Sequence, residues 1–242
     1  MTWHGSFDFC KKRGFDMLAL LSAGIAPGLA LLCYFYLRDQ FEPEPILVVA
    51  KAFLYGALVT LPVMFLQFIL EREHLFSGSI WHAFLHSALP EELCKWLCLA
   101  AIVFFNREFD EPFDGIVYGV SVSLGFATLE NILSLFSGGV DLAFGRALLP
   151  VSSHAIFGVM MGFYMGKSRF SPRKKCWFLF SFMVPVILHG FYDWIMLTQQ
   201  KWLYFMVPFM IGLWWLGLKK AKQAHSLSAK HFAQDAAGTQ QL

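Results

Sequence analysis

Residues 113–136 read FDGIVYGVSVSLGFATLENILSLF, and this stretch decides the fold class. A helix needs about 20 mostly apolar residues to cross a bilayer core of about 30 Å, and this run is long enough. Six further runs of similar character lie on either side of it, at about 17–37, 46–70, 80–105, 145–166, 176–197 and 202–218. The sequence therefore predicts an all-α polytopic membrane bundle of about seven transmembrane helices.

The composition agrees with a membrane protein. Of the 242 residues, 57% are hydrophobic and 15% are charged, whereas about a quarter of the residues in soluble domains are charged. The formal net charge of +2 gives no reason to expect a nucleic-acid partner, so the lipid bilayer is the expected surrounding. Five cysteines without a CxxC spacing indicate small buried side chains and not a disulfide framework.

Three parts of the chain follow from these runs: an N-terminal segment at 1–16, a membrane-embedded domain at 17–218, and a polar tail at 219–242 that is expected to be disordered. Lysines and arginines of short loops mark the cytoplasmic side. Six basic residues fall on the side of the N-terminus and twelve on the other, namely Arg38, Lys51, Arg107, Lys167, Arg169, Arg173, Lys174, Lys175, Lys219, Lys220, Lys222 and Lys230. This count places the C-terminus in the cytoplasm of a bacterial cell, although the basic N-terminus conflicts with it.

Several ionisable side chains lie inside the apolar runs, namely Glu91, Glu92, Lys95, Glu130, His154, His189 and Asp193. Each costs about 2.5–3.5 kcal/mol on insertion scales, so each needs a partner or a role. Lys95 is one helical turn from both Glu91 and Glu92 and can pair with either. Asp193 follows His189 by four residues, where a carboxylate orients an imidazole and selects its tautomer.

The depths of these groups agree with one another. With a rise of 1.5 Å per residue, Glu91 lies about 16 Å, Glu130 about 9 Å, His154 about 13 Å and His189 about 12 Å from the nearest loop. Those four loops share one side of a seven-span bundle. We therefore expect the glutamates and histidines to converge around one water-accessible cavity that opens to the non-cytoplasmic side.

Packing signals lead to the same positions. Small residues recur every four positions along two helices, at Gly115, Gly119, Ser123 and Ala127 and at Gly158, Gly162 and Gly166, and such ridges let helices approach closely. Pro90 should kink the third helix and free the carbonyl of His86. His82 and His86 lie near the membrane edge and are expected not to be ligands, and Asp114 is expected to have a structural role at a helix N-terminus.

An ordered set of motifs resembles the PrsW family of membrane proteases: YFYLRDQFEPEP at 34–45, EELCK at 91–95, DGIVYG at 114–119, GFATLEN at 125–131, His154, and HGFYD at 189–193. That family is similar to the CAAX-protease and bacteriocin self-immunity superfamily. The resemblance implies intramembrane cleavage of a membrane-anchored protein near the extracytoplasmic face, as in site-1 cleavage of an anti-sigma factor. It also implies catalytic roles for Glu91, Glu92, Glu130, His154 and His189, with Asp193 as a polar partner.

Two mechanisms remain open from the sequence. In one, Glu130, His154 and His189 bind zinc and leave a fourth position open. In the other, Glu91 or Glu92 activates water without a metal, and Lys95 decides which of the two stays charged. Two other functions are alternatives: a transporter or channel that uses the acids and histidines as a proton relay, and a non-catalytic membrane factor of the same fold. No internal repeat supports the transporter.

Overall fold

The computed structural model describes residues 4–73, 78–106, 108–138, 143–198 and 200–239, and this part of the chain contains helices and no strand. The α-helices are α1 (His4–Tyr36), α2 (Ile46–Arg72), α3 (Ser79–Trp81), α4 (Leu89–Phe105), α5 (Asp114–Gly138), α6 (Ala143–Arg146), α7 (Ser152–Phe170), α8 (Lys174–Thr198) and α9 (Trp202–Thr239). Two π-helical turns, π1 (His82–Ala88) and π2 (Ala147–Val151), join α3 to α4 and α6 to α7.

These elements form seven helical bodies across the predicted runs. Six are long and apolar enough to cross a membrane, and the seventh is the continuous body formed by α3, π1 and α4. The predicted all-α polytopic bundle is confirmed, and the chain is a multi-pass integral membrane protein. Large apolar side chains such as Leu47, Phe65 and Phe105 are exposed on the outer helices, as a lipid-facing surface requires.

The centre of the bundle consists of α5 and α7. In the most apolar stretch of each of these spans 78% of residues are buried, against 17–33% in α1, α2, α8 and α9. A helix that is apolar on all sides belongs in a core or a membrane, and from Asp114 to Thr128 every residue of α5 is buried. The apolar run at 113–136 is therefore part of the central helix, and its neighbours surround it.

The small-residue ridges are the contact between α5 and α7. A Cβ atom added at Gly119 would lie 2.6 Å from the carbonyl oxygen of Gly158, and one added at Gly162 would overlap the carbonyl of Gly115. Gly125 of α5 has the same relation to the carbonyl of Phe53 on α2. Glycine is required at these positions because helix backbones, and not flexible side chains, occupy the space.

We expect Gly119→Ala to lower the stability of the detergent-solubilised protein by about 1–3 kcal/mol, since α5 and α7 would have to separate. Gly212→Ala is the matched control, because a Cβ at Gly212 meets no atom within 4 Å. Alanine also favours the helix there by up to about 1 kcal/mol. Thermal unfolding followed by circular dichroism compares the two variants, and equal midpoints would contradict the close-packing account.

Both π-turns come directly before helices that contain candidate site residues. The periodicity of the sequence does not reveal either π-turn. The ring of Pro90 clashes with the carbonyl four residues earlier and supplies no N–H. The helix accommodates this with wider hydrogen bonds, as from the Leu89 N–H to the Phe84 carbonyl. Pro150 lies within π2, four residues before His154. Such π-bulges occur often at functional sites. Here each one changes which side chains of the following helix point into the bundle.

The tail beyond Lys219 was expected to be disordered, and this is wrong for the residues through Thr239, which continue α9. Ala221, Ala224 and Ser228 recur at helical spacing and are fully buried. The Oγ atom of Ser228 accepts a hydrogen bond of 3.1 Å from the N–H of Phe113, and the ring of Phe113 stacks on His225 at 4.0 Å. The low hydropathy of the tail hid this narrow buried stripe.

Candidate active site

The first turn of α4 places two carboxylates and an ammonium together. Lys95 Nζ donates to Glu92 Oε1 at 2.9 Å and to Glu91 Oε2 at 3.3 Å, and both Lys95 and Glu92 are fully buried. The spacings i+3 and i+4 put these groups on one helix face, so the pairing follows from the sequence. A buried lysine keeps its charge only with such partners. Lys95 Nζ also lies 4.0 Å from the centre of the Phe126 ring, which adds a cation–π contact.

His189 of α8 completes this group from the opposite side. Its Nδ1 atom lies 2.9 Å from Glu92 Oε1, so Nδ1 carries the hydrogen and the carboxylate accepts it. Its Nε2 atom is 3.4 Å from Asp193 Oδ2 and 4.0 Å from Glu91 Oε2. The sequence pointed to Asp193 as the group that orients the ring, whereas the structure gives the shorter contact to Glu92. A partner 97 positions away cannot be read from a spacing.

His154 of α7 connects Lys95 with Glu130. Its Nδ1 atom lies 3.1 Å from Lys95 Nζ, and its Nε2 atom lies 3.3 Å from Glu130 Oε2. An ammonium can only donate, so Nδ1 accepts and Nε2 carries the ring hydrogen toward Glu130. The α5–α7 contact positions the ring, because Ser123 Oγ donates to the His154 carbonyl at 2.6 Å.

A cavity of about 280 Å³ opens beside these residues. Its walls include Ser87, Glu91, Glu130, His154, His189, Tyr192 and Asp193, whereas Glu92 and Lys95 are behind the wall. The side chains become more exposed toward the mouth, from 5% for each histidine and 10% for Glu91 to 19% for Asp193 and 30% for Glu130. Glu91, Glu130, His154 and His189 thus line one cavity, as expected, whereas Glu92, which was expected there too, lies behind Glu91.

A metal ion would find suitable donor types here. Glu91, Glu92, His154 and His189 each offer an atom within 4.8 Å of the others, and imidazoles with carboxylates are zinc ligands. Glu130, which the sequence placed in the metal set, instead lies outside this group and contacts His154. However, Lys95 Nζ is already within 3.3 Å of three of the four residues. The ammonium therefore already engages one atom of each of these three residues, and an ion bound between them would have to displace it.

Two contributors had no signal in the sequence. Gln67 of α2 donates from Nε2 to Glu91 Oε1 at 3.1 Å. In the sequence it is a single amide within an apolar run, and that pattern alone indicates no role in the site. Phe126 of α5 is one of 27 phenylalanines. His86 and His82, expected not to be ligands, lie with Glu71 in a separate group of potential ligand atoms, and His82 also lines the cavity.

A second buried group of acids lies at the other end of α5. Asp39, Glu111 and Asp114 come within 4.8 Å of one another, and Glu44 accepts a short hydrogen bond from the Tyr118 hydroxyl nearby. Burial is the main cause that raises the pKa of Glu44 to about 7, and neighbouring carboxylates add to it. Burial likewise raises the pKa of Glu111 to about 8. Asp114, expected to be structural, accepts from the N–H groups of Asp110 and Glu111.

Comparison with known proteins assigns the family. The family described as "PrsW family intramembrane metalloprotease" matches residues 44–216. "Protease PrsW" of Bacillus subtilis (strain 168) is 54% identical over 214 residues, which cover 88% of this chain and 98% of that protein. The proteins of the same name from Geobacillus kaustophilus and Halalkalibacterium halodurans are 53% and 46% identical over 86% and 87% of this chain, and over 93% and 99% of their own lengths. No solved structure matches the chain. The chain therefore belongs to the PrsW family of intramembrane metalloproteases and is a membrane endopeptidase.

Proposed function

We propose that Glu91 is the general base of this endopeptidase and that it activates water for attack on a peptide bond of a membrane-anchored protein. The observation that carries the proposal is the division within the glutamate pair: Glu91 faces the cavity, and Glu92 is fully buried between Lys95 and His189. A base must be within hydrogen-bond reach of the water that it deprotonates. Glu91 meets this condition, whereas Glu92 has no access to the cavity.

The same geometry suggests a role for each of the residues around Glu91. Gln67 and Lys95 each hold one oxygen of Glu91, so its carboxylate has a defined orientation. The His189 Nδ1–H donates to Glu92 and leaves Nε2 toward the cavity, between Asp193 and Glu91. The Nε2–H of His154 also points to the cavity wall. The His154 Nε2–H is placed to stabilise the oxyanion of the tetrahedral intermediate. The proton that Glu91 takes from water can pass to the leaving amine, directly or through His189 Nε2.

We propose that Lys95, and not a metal ion, supplies the fixed positive charge of this site. A transition-metal ion and an ammonium compete for the same donors, and a protonated His154 Nε2 cannot bind a metal. We therefore expect the purified protein to contain far less than one zinc ion per chain and to keep its activity in 1,10-phenanthroline, which removes zinc and leaves calcium and magnesium in place. One bound zinc per chain, with activity lost on chelation and restored by zinc, would establish the metal mechanism instead.

The side of cleavage is also part of the proposal. The cavity lies near the start of the continuous α3–π1–α4 body and the end of α8. The count of basic residues supports an extracytoplasmic position for that end. The substrate class that fits is a single-span protein whose chain leaves the membrane on that side, such as an anti-sigma factor cut at the first site. The C-terminus of this chain would then lie in the cytoplasm of a bacterial cell.

Proteoliposomes with the purified protein and single-span substrates test the proposal. We expect cleavage within the substrate segment that lies near the extracytoplasmic boundary, as located by mass spectrometry of the fragments. Ion flux without peptide cleavage would instead support a proton-relay transporter. Fragments cut only at the opposite membrane face would overturn the proposed orientation.

A further inference from the structure

The acid group at the far end of α5 is built from two parts of the chain, the α1–α2 connection and the stretch that leads into α5. Asp39 lies between α1 and α2, Glu111 lies before α5, and Asp114 is the first residue of α5. They are 7%, 0% and 0% exposed, and one oxygen from each lies within 4.8 Å of the others. With a rise of 1.5 Å per residue, the 16 residues from Asp114 to Glu130 separate this group from the cavity by about 24 Å.

These carboxylates have oxygens without partners. With all three acids ionised, both oxygens of Asp39, both oxygens of Glu111 and Oδ1 of Asp114 are buried without a hydrogen-bond partner among the described residues. A protonated Glu111 could instead donate a hydrogen bond to Asp39. No lysine or arginine in the described ranges forms an ion pair with any of the three. Unpaired carboxylates are strongly destabilised away from water, so either protons or a bound cation must neutralise the three acids. Glu111 is fully buried, and one of its unpartnered oxygens lies within 4.8 Å of an oxygen of each of the other two acids.

We propose that Asp39, Glu111 and Asp114 form a binding site for one divalent cation of the oxygen-preferring class, Ca²⁺ or Mg²⁺. Ca²⁺ binds oxygen at about 2.3–2.6 Å, so oxygens on opposite sides of the ion lie about 4.6–5.2 Å apart. One oxygen from each of the three acids lies within 4.8 Å of the others, which is close enough for them to share one ion. Mg²⁺ demands near-ideal octahedral geometry at about 2.0–2.1 Å and gives up its water reluctantly, so Ca²⁺ is the better match to a site made of carboxylates.

The position of the site indicates what the cation does. It joins the α1–α2 connection and the segment before α5 to the first turn of α5. Phe113, two residues after Glu111, donates a hydrogen bond from its N–H to Ser228 of α9. A bound ion would therefore hold four parts of the bundle together at the end away from the cavity. Its expected effect is on stability and on the position of α9, and it takes no part in the hydrolysis.

Cation binding by the purified full-length protein in detergent tests this inference. After removal of metals with EDTA, saturating Ca²⁺ should raise the unfolding midpoint by about 5 °C or more, and Mg²⁺ should raise it less. Mn²⁺ followed by electron paramagnetic resonance should report one bound ion per chain as a direct measure. Glu111→Gln and Asp39→Asn should each weaken binding at least tenfold and remove most of the thermal shift.

Two controls separate this site from its surroundings. Glu42→Gln changes an exposed carboxylate in the same connection and should leave binding unchanged. Glu91→Gln changes the cavity and should also leave it unchanged, so loss of binding in Glu91→Gln alone would place the ion in the cavity. Absence of bound Mn²⁺ and of any thermal shift in the wild type would show that protons, and not a cation, neutralise the three acids.

Discussion

Replacing Glu91 with Gln should lower the rate of substrate cleavage by at least about 10²-fold, since the amide cannot accept a proton from water. The variant should fold, because the amide has nearly the same shape. Its oxygen can accept from Lys95, and its NH2 group can donate to the Gln67 oxygen once the Gln67 amide turns over. Cleavage of a single-span substrate in proteoliposomes gives the rate. Thermal unfolding in detergent gives the stability, which should change far less than the rate.

The control for this variant is Glu73→Gln, which alters an exposed carboxylate at the end of α2 and should leave the rate unchanged. Glu92→Gln gives the contrast that tests the division of roles. Glu92 holds Lys95 and His189, so its loss should lower both stability and rate. If Glu91→Gln cleaves at close to the wild-type rate, Glu91 is not the base and the proposed mechanism is wrong.

The second large effect is expected on stability. Lys95→Met should destabilise the protein by about 3–5 kcal/mol, because it leaves Glu92 buried without a positive charge beside it. Met has a similar length, so the loss is mainly electrostatic. Thermal unfolding followed by circular dichroism is the measurement, and Lys51→Met, at an exposed position of α2, is the control.

A second substitution distinguishes the charge from the packing. If the unpaired charge of Glu92 causes the loss, Lys95→Met combined with Glu92→Gln should recover part of the stability of Lys95→Met. Activity should not recover, because His189 and Glu91 would still lack their partners. Stability that falls further in the double variant would show that packing around the lysine, and not the ion pair, is what the core requires.

The proposed metal-free site and the far cation site make separable claims. Loss of activity in 1,10-phenanthroline would count against Lys95 as the only fixed cation and would leave the far site untouched. A loss of thermal stability in EDTA alone, without loss of zinc, would indicate the group around Glu111. The two sites lie at opposite ends of α5, so the variants at one end serve as controls for the other.

The sequence by itself determined the spans, the depths and the local pairings. Apolar length decides which segments cross a bilayer, and the rise of a helix turns residue number into depth, so Glu91, Glu130, His154 and His189 could be placed at one level. Spacings of three and four residues predicted the Lys95 pairing, and the small residues predicted where α5 and α7 meet. These are properties of single helices, and single helices follow from local physics.

Only the tertiary structure decided how those helices face one another. The proline-linked π-turns shift the helix face that follows them, so no ideal periodicity could separate Glu91 at the cavity from Glu92 behind it. The contacts of Glu92 with His189, of Lys95 with His154 and of Gln67 with Glu91 join residues far apart in the chain. The acids at Asp39, Glu111 and Asp114 come together for the same reason. Long-range packing selects these partners, and it depends on all the helices at once.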